Sequence, residues 1–178
     1  MSVQSTMTGS TCIHARPRAE RKCHVNHVHV RVDEELSPSR PDGTKMSTPS
    51  IDRTTSLSMK DAESAVRTAL AAEGFGILTE IDVAATLKTK LGVERTPLKI
   101  LGACNPEFAH RALQIDESVS LMLPCNVVLT ETDAGVKISA ADPRALMTGD
   151  EFRVLADAAA ERLTAALDAV PQNPVREK

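Results

Sequence analysis

Three short segments between residues 74 and 129 constrain this chain more than anything else in it. They are Gly74-Phe-Gly-Ile-Leu-Thr-Glu-Ile-Asp82, Ile100-Leu-Gly-Ala-Cys-Asn-Pro106 and Leu121-Met-Leu-Pro-Cys-Asn-Val-Val128. Each reads as a strand running into a turn or a helix start. Two of the three carry a cysteine at that junction, Cys104 and Cys125. Strands therefore alternate with helices here, and the two thiols are the residues whose placement decides what chemistry the chain can offer.

The local patterns around these segments fill in the elements. Thr54 to Ser58 is a short first strand. Ser58-Met-Lys-Asp61 has the form of a capping box, and Ala62, Ala65, Val66, Ala69 and Leu70 follow at helical spacing up to Gly74, the expected C-terminal glycine. In the strand from Phe75 to Ile81, alternation sets Phe75, Ile77 and Ile81 on one face, with Glu80 on the opposite face next to Leu78. Asp82 caps a second helix, Val83 to Leu91, closed by Gly92, with Val83, Leu87 and Leu91 as its stripe. Leu98 to Ala103 is the next strand. Asn105 as N-cap and Pro106 at the first helical position start a third helix, whose buried stripe is Phe108, Ala109, Ala112 and Leu113, with His110 on its flank. Cys104, just before that cap, stands where the helix dipole favours thiolate.

Val119 to Thr130 reads as a strand interrupted by Pro124, hence an edge, a bulge or two short strands. Thr132-Asp-Ala-Gly135 turns the chain into Val136, Ile138 and Ala140, which alternate with Lys137 and Ser139 as the second arm of a hairpin. Thr148-Gly-Asp-Glu151 is a second capping box. It opens a helix of about five turns with the stripe Phe152, Leu155, Ala156, Ala159, Leu163, Ala166, Leu167 and Val170, stopped by Pro171. The order is β-α-β-α-β-α-β-β-α over about residues 52–170, an α+β domain with one antiparallel-rich sheet and helices mainly on one face. A parallel doubly wound sheet suits the early β-α alternation, but the late hairpin favours the antiparallel form.

Composition narrows the function classes. The chain has 178 residues and a formal net charge of −3, so it lacks the clustered cations that neutralise phosphates; with no Trp or Tyr and only three Phe it also lacks stacking surface. Nucleic acid is excluded as a partner on these grounds. The longest apolar run, Val119 to Leu129, is too short to span a bilayer, and the first thirty residues carry no apolar signal core, so no membrane partner and a cytoplasmic location are expected. Residues 1–50, rich in Ser, Thr, Pro, Arg and His, read as a disordered tail, residues 51–171 as the domain and residues 172–178 as a disordered end. Cys23, His24, His27 and His29 are metal-ligand types within that tail, but Cys12 lies too far away for a finger-type spacing, and a flexible polar segment is the plainer reading. Met46, where patterned sequence begins, is an alternative start.

The candidate site is built on Cys104 and Cys125, with Glu80, Asn105, His110 and Asn126 around them. If the strands ending at the two cysteines are neighbours, both thiols lie at one end of the sheet. Two thiols suit a soft metal or a dithiol–disulfide couple, while buried free cysteines also serve simply as small hydrophobes. The chain has no C-x-x-C, G-x-S-x-G, P-loop or H-E-x-x-H motif, and no general base is placed for an enzyme. A binding or interaction module for a small molecule or soft metal ion is therefore favoured. The alternative is a thiol redox or nucleophilic enzyme using Cys104. No cofactor is specified.

At these same three segments, over roughly residues 53–143, the chain resembles the DUF302 family of domains of unknown function. The matching positions are Glu80, Cys104, Asn105, Pro106, His110, Pro124, Cys125 and Asn126. The resemblance implies a compact α+β domain, an antiparallel sheet covered by helices, and pairing as a homodimer; it implies no reaction. Pro97-Leu98 stands where the family commonly has an aromatic residue, and the His-containing tail lies outside the family pattern.

Overall fold

The computed structural model describes residues 49–172, so the readings of the tail, with its Cys and His residues, and of the last six residues lie outside the described part. Five strands form one sheet: β1 (Ser50–Thr55), β2 (Gly76–Asp82), β3 (Leu98–Cys104), β4 (Cys125–Thr132) and β5 (Gly135–Ala141). Their order is β1-β5-β4-β3-β2, and every neighbouring pair is antiparallel, which removes the doubly wound alternative. Helices α1 (Met59–Ala72), α2 (Val83–Leu91), α3 (Pro106–Ile115), α4 (Pro143–Leu146) and α5 (Arg153–Ala169) complete the domain.

The local signals act as the residues dictate. The Ser58 hydroxyl accepts from the Asp61 amide at the start of α1, and Gly74 beyond its end adopts φ 81°. Asp82 accepts from Ala85 N at α2, and Gly92 closes that helix in the left-handed region. At α3, Asn105 Oδ1 accepts from the amides of Glu107 and Phe108, with Pro106 at the first helical position. The β4–β5 hairpin pairs Thr132 with Gly135 across a two-residue loop. Gly135 has φ 117°, and a Cβ there would lie 2.1 Å from Thr55 O, so glycine is required on both counts.

One face of the sheet carries Leu101, Val127, Leu129, Ile138 and Ala140, all fully buried against Val66 and Leu70 of α1 and Leu163 and Leu167 of α5. A second, smaller cluster joins Ala112 of α3, Val119, Phe152 and Leu155. Leu98, Ile100 and Val128, on the opposite face of the sheet, belong to neither cluster. Helix α2 contributes no buried residue. Of its expected stripe, Val83 and Leu87 are half-buried and Leu91 is exposed.

Four sequence expectations are corrected. The first strand is Ser50–Thr55, not Thr54–Ser58, because β1 pairs with β5 from Ala141 to Val136 and Ser58 is consumed as a helix cap. Residues Glu117–Met122 form a 3₁₀ turn rather than strand: Asp116 accepts from Ser118 N, and Val119 is drawn into the smaller cluster. Pro124, preceded by a cis peptide, therefore lies just outside a central strand instead of interrupting one. The Thr148–Glu151 box does not form. Asp142 caps the short α4, and a 3₁₀ turn at Asp150–Phe152 without a side-chain cap leads into α5, although the apolar stripe from Phe152 to Val170 is buried as expected.

The fourth correction concerns Glu80. Ile77 pairs with Ala103, but Thr79 pairs with Gly102 and Glu80 with Leu101, so the register slips by one residue at a bulge between Ile77 and Thr79. The bulge turns Glu80 onto the helix-covered face shared by Ala103 and Leu101.

Candidate functional site

Strand β3 ends at Cys104 and β4 begins at Cys125, and the pairing of Ala103 with Cys125 puts these ends side by side. Paired and diagonal neighbours in a sheet are separated by only about 5–8 Å. Both residues are among those lining one cavity, with about 40 Å³ of free space, although strand alternation sets Cys104 on the opposite face of the sheet from Ala103 and Cys125. Its strand wall is Ala103, Cys104 and Cys125; α3 adds Phe108, Ala109 and Ala112. Leu123, Pro143, Met147, Leu155 and Ala159 close the other side, with Phe75 and the Asn105 cap at the rim. The walls are almost wholly apolar. Phe75 and Phe108 meet in a tilted ring contact with centroids 6.5 Å apart.

Both cysteines are free and half-buried. Burial pushes the Cys104 thiol up, so desolvation sets its direction rather than the helix start beside it. Burial, and then the neighbouring Cys104, pushes Cys125 up to about 11. At neutral pH this is a pair of protonated thiols in an apolar pocket, the reverse of the lowered pKa that marks a nucleophilic cysteine.

The six residues singled out from sequence divide into two sets. Cys104, Asn105 and Cys125 line the cavity. Asn105 is occupied there by structural work, since its Oδ1 caps α3 and its Nδ2 donates to Glu73 O at 3.4 Å. His110 is exposed on α3 and Asn126 is exposed on β4 opposite Gly102; neither lines the cavity. Glu80 belongs to a different cluster.

That cluster ties α1 to the edge of the sheet. Lys99 Nζ donates to Glu63 Oε2 at 2.8 Å and to Glu80 Oε1 at 3.1 Å, while Arg67 bridges Glu63 and Glu80 from the other side. The hydrogen bond from Lys99 holds the Glu63 carboxyl below its ordinary range, and the same bond, followed by that to Glu80, raises Lys99. All four charges satisfy one another, which marks a structural network.

Sequence reasoning missed Met147 and Leu123 as cavity residues. Both lie in connections, where spacing carries no periodic signal. Phe75, Phe108, Ala109 and Ala112 were legible as apolar faces, but only the tertiary arrangement shows that these faces leave a hollow between them. Among the described residues no three His, Cys, Asp or Glu side chains gather closely enough to hold a metal ion, and no helix is long and apolar enough to cross a membrane.

No curated protein matches the chain. Among solved structures it is similar to an uncharacterised conserved DUF302 protein from Bacillus stearothermophilus, with 30% identity and a TM-score of 0.64, covering 68% of this chain and 97% of that one. The profile described as "Domain of unknown function DUF302" matches residues 51–170, the span that holds all five strands but for Ser50, both buried clusters and the cavity. On that match and the shared fold, the chain belongs to the DUF302 family.

Proposed function

We propose that residues 51–171 form a binding module whose site is the apolar cavity under Cys104 and Cys125, and that the occupant is small. The observation that carries this reading is the cavity's size. A water needs about 10–15 Å³ of such space, so 40 Å³ admits an ion or a molecule of a few heavy atoms and no extended organic cofactor. The enzyme reading, with Cys104 as nucleophile or redox thiol, has less support because burial raises both thiols. A reducing, cytoplasmic setting agrees with two unpaired cysteines. The test is native mass spectrometry of the protein purified without chelator, beside the variant Ala109→Phe, which fills the cavity from α3. An adduct on the parent that the variant lacks is expected. Bare masses for both, with alkylation of each thiol unchanged by added metal ions or small apolar solutes, would refute it.

A homodimer is part of the same proposal. Leu78, Ile81, Leu91 and Val93 are 65%, 48%, 57% and 50% exposed, and all lie on β2, α2 or the connection to β3. A second copy covering this region shields the apolar residues that the domain's own helices leave open. Light scattering at micromolar concentration should give twice the chain mass, and Ile81→Lys with Leu91→Lys should return it to one.

A further inference from the structure

We propose that the cavity at the ends of β3 and β4 takes a neutral, apolar molecule of about three heavy atoms or fewer, the size of a dissolved gas or a very small hydrocarbon. The inference rests on the reading that this cavity holds an occupant, and narrows that occupant to one chemical class. Size sets the upper limit. An apolar cavity of about 150 Å³ stays dry and admits benzene or xenon, so 40 Å³ excludes an aromatic ring and leaves room for about three water-sized atoms.

The chemistry of the walls excludes water and ions. A buried water needs about two to four polar partners, and the polar groups nearest the cavity are engaged elsewhere. Asn105 Oδ1 accepts from the amides of Glu107 and Phe108, and its Nδ2 donates to Glu73 O. The connections that close the cavity are bonded in the same way: Phe75 N donates to Leu70 O at 2.9 Å, Met147 N to Pro143 O at 2.9 Å and Leu123 N to Ser120 O at 3.4 Å. Burial keeps both cysteines protonated near neutral pH, so neither supplies a charge to hold an ion. What remains is dispersion, which favours a neutral occupant in contact with carbon and with polarizable groups such as the Phe75 and Phe108 rings and the Met147 thioether. Met147 also offers a way in. It is half-buried against the smaller cluster, and its unbranched side chain can change rotamer without disturbing the sheet.

The test uses the full chain, reduced and carbon-13 labelled at its methyl groups, observed by NMR under xenon pressure. Shifts confined to the methyls of Ala109, Ala112, Ala159 and Met147 are expected, with Val136 and Ile138 of the main cluster unmoved. Cyclopropane should move the same resonances, whereas formamide, with as many heavy atoms but a strong dipole, should not. Ala109→Phe should abolish the response, and the map on the parent chain locates the site independently of that variant. Xenon shifts centred on other residues, or an equal response to formamide, overturn the proposal. Silence to both apolar probes, together with a native adduct that Ala109→Phe loses, sinks the apolar class and leaves the occupied cavity standing. Silence to the probes with bare masses and thiols whose alkylation no added ion or solute changes sinks both.

Discussion

Gly102 is where the smallest side chain carries the largest consequence. It sits on the interior strand β3, paired with Thr79 on one side and Asn126 on the other. A Cβ there would lie 2.2 Å from Thr79 Oγ1 and 2.6 Å from Pro124 Cγ. The proline ring has no alternative rotamer to retreat into, so Gly102→Ala should destabilise the domain by about 1–3 kcal/mol in urea unfolding. Adding Thr79→Ala should recover part of that loss, and a strictly additive pair would show that the two sites do not touch. Cys125 makes a second prediction at this scale. With its pKa near 11, about one thiol in a thousand is ionised at pH 8. Its alkylation by iodoacetamide in the metal-free protein should rise about tenfold per pH unit from 8 to 10; a plateau near pH 8 would contradict the burial. Lys99→Met removes the cation shared by Glu63 and Glu80 and should cost about 1 kcal/mol near neutral pH, less in high salt. The folded-state pKa of Glu63 is depressed, so its contribution is complete above about pH 4.5 and is lost as pH falls through the folded value. The variant should therefore show a shallower decline in stability on the acid side.

At the scale of elements, legibility follows how local each cause is. Helices α1, α2 and α3 were readable to within a residue or two, since their caps Ser58, Asp82 and Asn105 act on amides two or three positions away. The hairpin was readable for the same reason. The bulge in β2 was not, because it is set by what β3 offers across the pair, and the face of Glu80 was inverted with it. The stretch from Glu117 to Met122 deceived through Val119, which is apolar because it is buried against α3 and Phe152 and not because it lies in a sheet. For the site, the cysteine junctions raised the pairing of the two strand ends only as a condition, which the β3–β4 register meets, while Met147 depended on a connection that only tertiary packing fixes. Helix α5 supplies the prediction here. Leu163 is fully buried in the main cluster, so Leu163→Ala should cost about 2–5 kcal/mol, whereas Val154→Ala, at a position 74% exposed, should be neutral within about 0.5 kcal/mol.

At the scale of the whole domain, two buried clusters of unequal size stand among the described residues, and the cavity lies where they meet. Phe75 and Ala103 belong to the larger cluster, Ala112 and Leu155 to the smaller, and all four line the cavity. The smaller cluster has four buried members against eighteen, so α3 and the 3₁₀ turn should open as a unit at lower free energy than the sheet. Native-state hydrogen exchange should show Ala112 and its neighbours losing protection in denaturant before Val127 or Ile138, and identical opening energies would show a single cooperative unit. Helix α5 rests on both clusters, its first turns on the smaller and its later turns on the larger. It acts as a beam on two supports, one stiff and one yielding. Whatever enters between them props the weaker support, so occupancy should be felt as rigidity along the beam, far from the sulfurs themselves.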